Sequence, residues 1–206
     1  LLYWLAENHQ PPPQATPPAI GDYIAAALCG TEPVTEPTLA LGTLNLQTGT
    51  WHHAAFDRLG LTNLRWPRVV PCDRQLGQFK IAGRNIICHP AVGDQQAALA
   101  GINLQPDELS INISTGSQVS RLTPTLTTTD TQTRPYFDGW FLNTITHLPA
   151  GRSLNVLVDL LTELSRAEGK QLSDPWSTIE RAVEISVAND SLDVDLAFFS
   201  GPMGER

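Results

Sequence analysis

Two short stretches of this sequence carry residue types suited to moving a phosphoryl group. The first is Gly93-Asp94-Gln95, heading a small-residue segment that runs to Gly101. The second is Ser114-Thr115-Gly116-Ser117, which joins apolar runs at 109–113 and 119–122. A carboxylate such as Asp94 can take the proton from an attacking hydroxyl. A bend of hydroxyls and glycine can turn backbone N–H groups and side-chain oxygens toward a phosphate. Each stretch also has an ordinary reading. Gly-Asp before a helix is commonly a capping turn, the carboxylate accepting N–H bonds from the first helical turn. Ser-Thr-Gly-Ser between strands is commonly a hairpin in which Gly116 supplies a positive φ. Separated by one helix and one strand, the two together are more telling than either alone.

The elements that must position them can be read in order. Residues 1–8 form an apolar helix end, and the proline-rich connector 9–18 is irregular because proline has no N–H to donate. Gly21-Asp22 opens a helix that Gly30 stops. Residues 39–46 read as a strand, and Thr48-Gly49-Thr50 caps a helix over 51–59 that ends at Gly60. His52 and His53 are neighbours on that helix and cannot face one site together, so they are no metal pair. Residues 66–71 are extended, and 78–82 with 85–88 read as a hairpin. Pro106-Asp107-Glu108 is a turn and the candidate domain boundary. A polar span at 123–133, a strand at 140–146, helices at 152–168 and 175–189, and a buried strand at 194–199 follow. Strands mixed with helices in this way predict an α/β architecture.

Composition narrows the class. The chain has 206 residues, 41% of them hydrophobic and 17% charged, which is the balance of a globular protein able to bury a core. Its 13 basic and 21 acidic residues leave a net charge of −8, which argues against binding nucleic acid or an anionic membrane surface. Small phosphorylated molecules stay open, since backbone dipoles can make a local site electropositive. Cys29, Cys72 and Cys88 have no paired or zinc-like spacing, so reduced thiols and a cytoplasmic location are expected. No apolar run approaches the ~20 residues that span a bilayer. Asn112-Ile113-Ser114 and Asn189-Asp190-Ser191 match the glycosylation pattern, the first inside an expected strand where modification is implausible. The chain begins without Met and reads as a fragment.

VGDQQAALAG followed by NISTGSQ resembles the FGGY family of carbohydrate kinases. The stretches LLYWLAENH, IGDYIAAALCG, LNLQTGTWHHAAFDRLGL and RPYFDGWFLNTITHLPAGRSLNVLVDLL follow that family's order, so the likeness covers nearly the whole chain. Among its members the likeness is nearest to sedoheptulokinase, through DYIAAALCG and the NIST form of the bend. The resemblance implies an actin-like ATPase fold of two ribonuclease-H-like domains, here in parts. Residues 1–105 would be the C-terminal part of the first, sugar-side domain, and 106–206 the N-terminal part of the second, nucleotide-side domain. It implies ATP-dependent phosphorylation of a sugar hydroxyl, a ketose such as sedoheptulose being the expected acceptor. Asp94 would be the general base and Gln95 would lie beside the substrate. Thr115 and Gly116, with Gly151 and Asn155 at a helix start, would approach the nucleotide phosphates, where a helix N-terminus favours anions. By itself Gly151 has a plainer reading, as an ordinary pre-helix turn. The expected cofactors are ATP and Mg2+, the metal ligands being unknown beyond Asp94. The expected partners are a small-molecule sugar and ATP, with a homodimer as a candidate assembly.

Departures from the family pattern also show. Where the family carries Asn or Asp among small neighbours near the sugar, this chain has Pro37-Thr38-Leu39-Ala40. The phosphate loop of the first domain and the glycine-rich adenosine segment lie outside the sequence. Two other classes share the fold: a non-catalytic sugar- or nucleotide-binding regulatory relative, and a structural protein of the wider actin-like class. Asp94 separates the first of these from a kinase, because a sensor can dispense with the carboxylate.

Overall fold

The computed structural model describes residues 7–8, 12, 14–40, 42–127, 131–170 and 174–185. Two compact units emerge, one formed by Leu1–Ser110 with Arg121–Thr144, the other by Ile111–Ser120 with Ile145–Arg206. The expected strand at 194–199 and the end of the last helix beyond 185 lie outside the described residues, as does most of the first helix end.

In the first unit, the helix Ile20–Cys29 closes on Gly30, whose left-handed backbone (φ 65°) lets its N–H reach the Ala26 carbonyl. The next strand, β1 (Val34–Thr35), pairs in parallel with β4 (Arg68–Val69). Between them the expected strand at 39–46 does not form. Proline at 37 instead starts a 3-10 turn, Pro37–Leu39, for which Glu36 is the cap, and among the described residues of that span only Leu44–Asn45 (β2) is a strand. β2 pairs with β3 (Thr50–Trp51), so the helix expected from residue 51 begins later, at His53–Arg58, with the His52 ring as its cap. Trp51 is thereby freed to donate its indole N–H to the Pro67 carbonyl at 2.6 Å. Trp66 stacks on Phe56, their ring centres 3.8 Å apart.

The expected hairpin is present as β5 (Gly77–Ile81) and β6 (Arg84–Cys88). Its turn needs positive φ at both central residues, met by Ala82 (47°) and Gly83 (78°). The helix Asp94–Gly101 follows. β7 (Ser110–Asn112), β8 (Ser117–Thr123), β10 (Phe141–Leu148) and β9 (Gln132–Pro135) form a sheet in that spatial order. β9 and β10 are antiparallel, Arg134 opposite Leu142. Leu99 of the helix packs with Leu104, Leu122 and Leu142 into one apolar cluster, covered by Tyr136 and Trp140. The second unit is dominated by the helices Gly151–Ala167 and Pro175–Ile185. Among the described residues no helix is long and apolar enough to cross a membrane.

Candidate active site

Asp94 is the first residue of its helix and is exposed, while Gly93 before it is buried. The turn is held from behind. The Gly93 N–H donates to Thr38 Oγ1 at 2.9 Å, and the same hydroxyl donates to the Glu36 carboxylate. Glu36 also accepts the Thr38 backbone N–H at 2.7 Å. A Cβ at Gly93 would stand 2.9 Å from the Thr38 carbonyl oxygen and would strike Gln96 Oε1, so only glycine lets the two loops close. A Cβ at Gly21 would likewise meet that of Ala91 at 2.7 Å. The segment around Pro37-Thr38-Leu39-Ala40 is thus the backing of the Asp94 turn.

Two carboxyl groups lie buried behind this turn, Asp22 at 1% and Glu36 at 3% exposure. Asp22 Oδ2 accepts from the Thr35 hydroxyl at 2.5 Å and the Ala19 N–H at 3.3 Å, whereas Oδ1 has no partner among the described residues. Burial pushes Asp22 above the ordinary carboxylate range, against the opposing hydrogen bonds. Glu36 is pushed up by burial as well, with the Asp22 charge adding to the effect. Asp94 faces water, and one of its oxygens accepts the Gln95 N–H at 2.7 Å.

The helix and β9 are tied at consecutive residues. Arg134 Nη1 donates to Gln95 Oε1 at 2.6 Å, and Gln96 Nε2 donates to the Pro135 carbonyl at 3.1 Å. Gln95 is half-buried and Gln96 buried, so Asp94 sits on a helix start whose next two side chains are anchored.

In the second unit the other expected site residues come together. The N–H groups of Gly151 and Arg152 donate to the carbonyls of Ser114 and Thr115, each at 3.2 Å. The bend and the helix start are therefore one closed piece. A Cβ at Gly151 would lie 3.2 Å from the Ser114 oxygen, which accounts for the glycine. Asn155 is one turn further along and exposed, on the same face as Gly151. Thr115 and Gly116 are exposed. Gly116 does not take the left-handed conformation expected of it, and a Cβ there meets nothing within 4 Å. The exposed Thr115 and the open Gly116 lie beside this helix start, whose first two N–H groups are engaged by the bend.

Among the described residues no group of three or more His, Cys, Asp or Glu side chains is arranged to hold a metal ion. The sequence reading missed Asp22, Glu36, Thr38, Gln96 and Arg134. One signal was readable: Glu-Pro-Thr places a capping carboxylate directly before a proline at the first helical position.

No protein-family model matches this chain, and no curated protein does. Solved structures do match. Xylulose kinase from Lactobacillus acidophilus is 20% identical with a TM-score of 0.60, the match covering 75% of this chain and 34% of that one. Xylulose kinase from Rhodospirillum rubrum is 20% identical with a TM-score of 0.63, covering 79% and 36%. Plasmodium falciparum glycerol kinase, solved with ADP, is 17% identical with a TM-score of 0.64, covering 89% and 39%. The chain thus has the actin-like ATPase fold of sugar kinase structures, in part, and spans between 34% and 39% of their length.

Proposed function

We propose that this chain is the part of an ATP-dependent carbohydrate kinase that carries the general base and one phosphate-holding bend. The observation that supports it best is the exposed Asp94 carboxylate, first in its helix, on a turn clamped by Gly93, Thr38 and Glu36. A sugar hydroxyl is a poor nucleophile at neutral pH, and phosphoryl transfer depends mainly on positioning and charge stabilisation. In this reading Asp94 takes the hydroxyl proton and Gln95 lies against the sugar. Thr115 and Gly116, with Gly151 and Asn155, hold the nucleotide phosphates. ATP, accompanied by Mg2+, supplies the phosphoryl group. The acceptor is a ketose such as sedoheptulose, a choice supported by the sequence likeness and by the xylulose kinases among the matching structures. Residues 1–105, together with 121–144, which cluster with them, belong to the sugar side, and the rest of 106–206 to the nucleotide side of a cytoplasmic enzyme.

The test is Asp94→Asn in the whole protein. The amide keeps the shape but cannot accept the proton, so sugar phosphorylation should fall by about 100- to 10,000-fold at an unchanged unfolding midpoint. Near-normal turnover would overturn the assignment. The 206-residue chain alone should release no ADP with a ketose panel, because in-line placement contributes roughly 7–11 kcal/mol to such reactions. Sugar-dependent ADP release above an Asp94→Asn control would show that the chain suffices by itself.

A further inference from the structure

Arg134 is half-buried on β9, its backbone fixed opposite Leu142, which is fully buried. Its guanidinium is held by two neutral amides: Nη1 donates to Gln95 Oε1 at 2.6 Å and Nη2 to Gln132 Oε1 at 2.8 Å. It makes no ion pair among the described residues, where the ion pairs present are on exposed side chains elsewhere. A guanidinium has five N–H donors and accepts nothing. Two are engaged here, and a charge withdrawn from water beside neutral partners favours an oxygen that only accepts. The neighbour on one side is Gln95, next to Asp94. The Gln96–Pro135 bond one residue along keeps strand and helix in register, so the charge stays beside the helix start.

Resting on the kinase reading above, we infer that Arg134 is a specificity-determining residue of the sugar site. It donates to an sp² oxygen near the reacting end of an open-chain acceptor, either a ketone carbonyl or a carboxylate. Both offer lone pairs without a hydrogen to be placed, whereas the hydroxyl of the corresponding alditol must also find an acceptor for its own proton. Arg134 cannot be that acceptor. Gln132 and Gln95 fix the plane of the fork, which is what reading a planar oxygen group requires.

The experiment measures kcat/KM of the whole protein for an open-chain ketose, the matching aldonate and the matching alditol, in wild type, Arg134→Gln and Arg134→Lys. Wild type should favour the ketose or the aldonate over the alditol. In Arg134→Gln that preference should shrink about 10- to 100-fold, with KM for ATP unchanged. Arg134→Lys separates the two oxygen sources: the retained charge restores much of the rate on an aldonate, but the lost fork leaves a ketose impaired. A uniform loss on all three sugars would make Arg134 only a strand-to-helix tie and overturn the inference while the kinase reading stands. An unchanged preference would do the same. A wild-type protein that phosphorylates no sugar would bring down both.

Discussion

Gly93 and Thr38 are 55 residues apart in sequence, yet the glycine N–H and the threonine hydroxyl meet at 2.9 Å. That bond joins the turn before Asp94 to a 3-10 segment capped by a buried carboxylate. Asp94, the proposed base, is thereby positioned by a polar relay, Gly93 to Thr38 to Glu36, and not by apolar packing alone.

Thr38→Val tests the relay. Valine keeps the branched shape but leaves the buried Gly93 N–H without an acceptor and Glu36 without its hydroxyl donor. An unsatisfied buried donor costs about 1–3 kcal/mol, so the urea midpoint should fall accordingly. Thr38→Ser keeps the hydroxyl and should recover most of the loss. Equal stability of the valine and serine variants would show that the hydroxyl has no such role.

Gly93→Ala probes the same contact from the other side. The backbone at Gly93 (φ −61°, ψ 136°) suits any residue, so the effect is steric and not conformational. The new methyl would meet the Thr38 carbonyl oxygen at 2.9 Å and push Gln96 away, loosening its bond to Pro135. Overpacking of this kind costs typically about 1–3 kcal/mol. Hydrogen exchange should rise locally at the start of the Asp94 helix; protection equal to wild type there would contradict the close approach.

The sequence made some of this legible and hid the rest for physical reasons. The helix start at Asp94 and the bend at Ser114–Ser117 were readable as local structure, a carboxylate heading a helix and hydroxyls beside glycine. The Gly30 helix end and the 78–88 hairpin were readable for the same cause. Residues 39–46 misled: Leu at 39, 41, 44 and 46 suggests a strand, but Pro37 and the Glu36 cap favour a tight turn that tertiary bonds then secure. Thr50-Trp51 went to a strand because its indole found the Pro67 carbonyl, a partner no local pattern announces. Arg134, Gln96 and Thr38 act through partners distant in sequence, and spacing along one chain carries no trace of that.

The buried carboxyls predict a pH dependence. Asp22 and Glu36 both have folded-state pKa values raised above the ordinary 3.8 and 4.5. The protonated form is the one that suits burial, so their contribution is fully present below those ordinary values. It is lost as pH rises through the raised folded values. Asp22→Asn removes one of these charges and relieves Glu36. The difference in urea midpoint, variant minus wild type, should therefore move in the variant's favour from about pH 4 to about pH 7. A difference that stays constant across that range would mean that Asp22 does not ionise at a raised pKa.

Gly116 of the bend and Gly151 of the adjoining helix start should behave differently. At Gly151 a methyl would sit 3.2 Å from the Ser114 oxygen, tighter than ordinary packing, and either the bend or the helix start must shift by tenths of an ångström. Since the first two helix amides are bonded to Ser114 and Thr115, that shift carries the bend with it. Gly151→Ala should weaken ATP binding by on the order of 10-fold, small misplacements being expensive at such sites, while sugar affinity holds. Gly116 has ordinary φ and open space, so Gly116→Ala should leave the urea midpoint within about 0.5 kcal/mol of wild type. Gly116→Val should likewise stay folded yet lose ATP more than sugar, because its branched side chain fills the approach to the backbone. Calorimetry with ATP and with sugar on the four proteins decides the matter. Equal loss of both ligands at Gly116 would mean that the bend does not face the nucleotide.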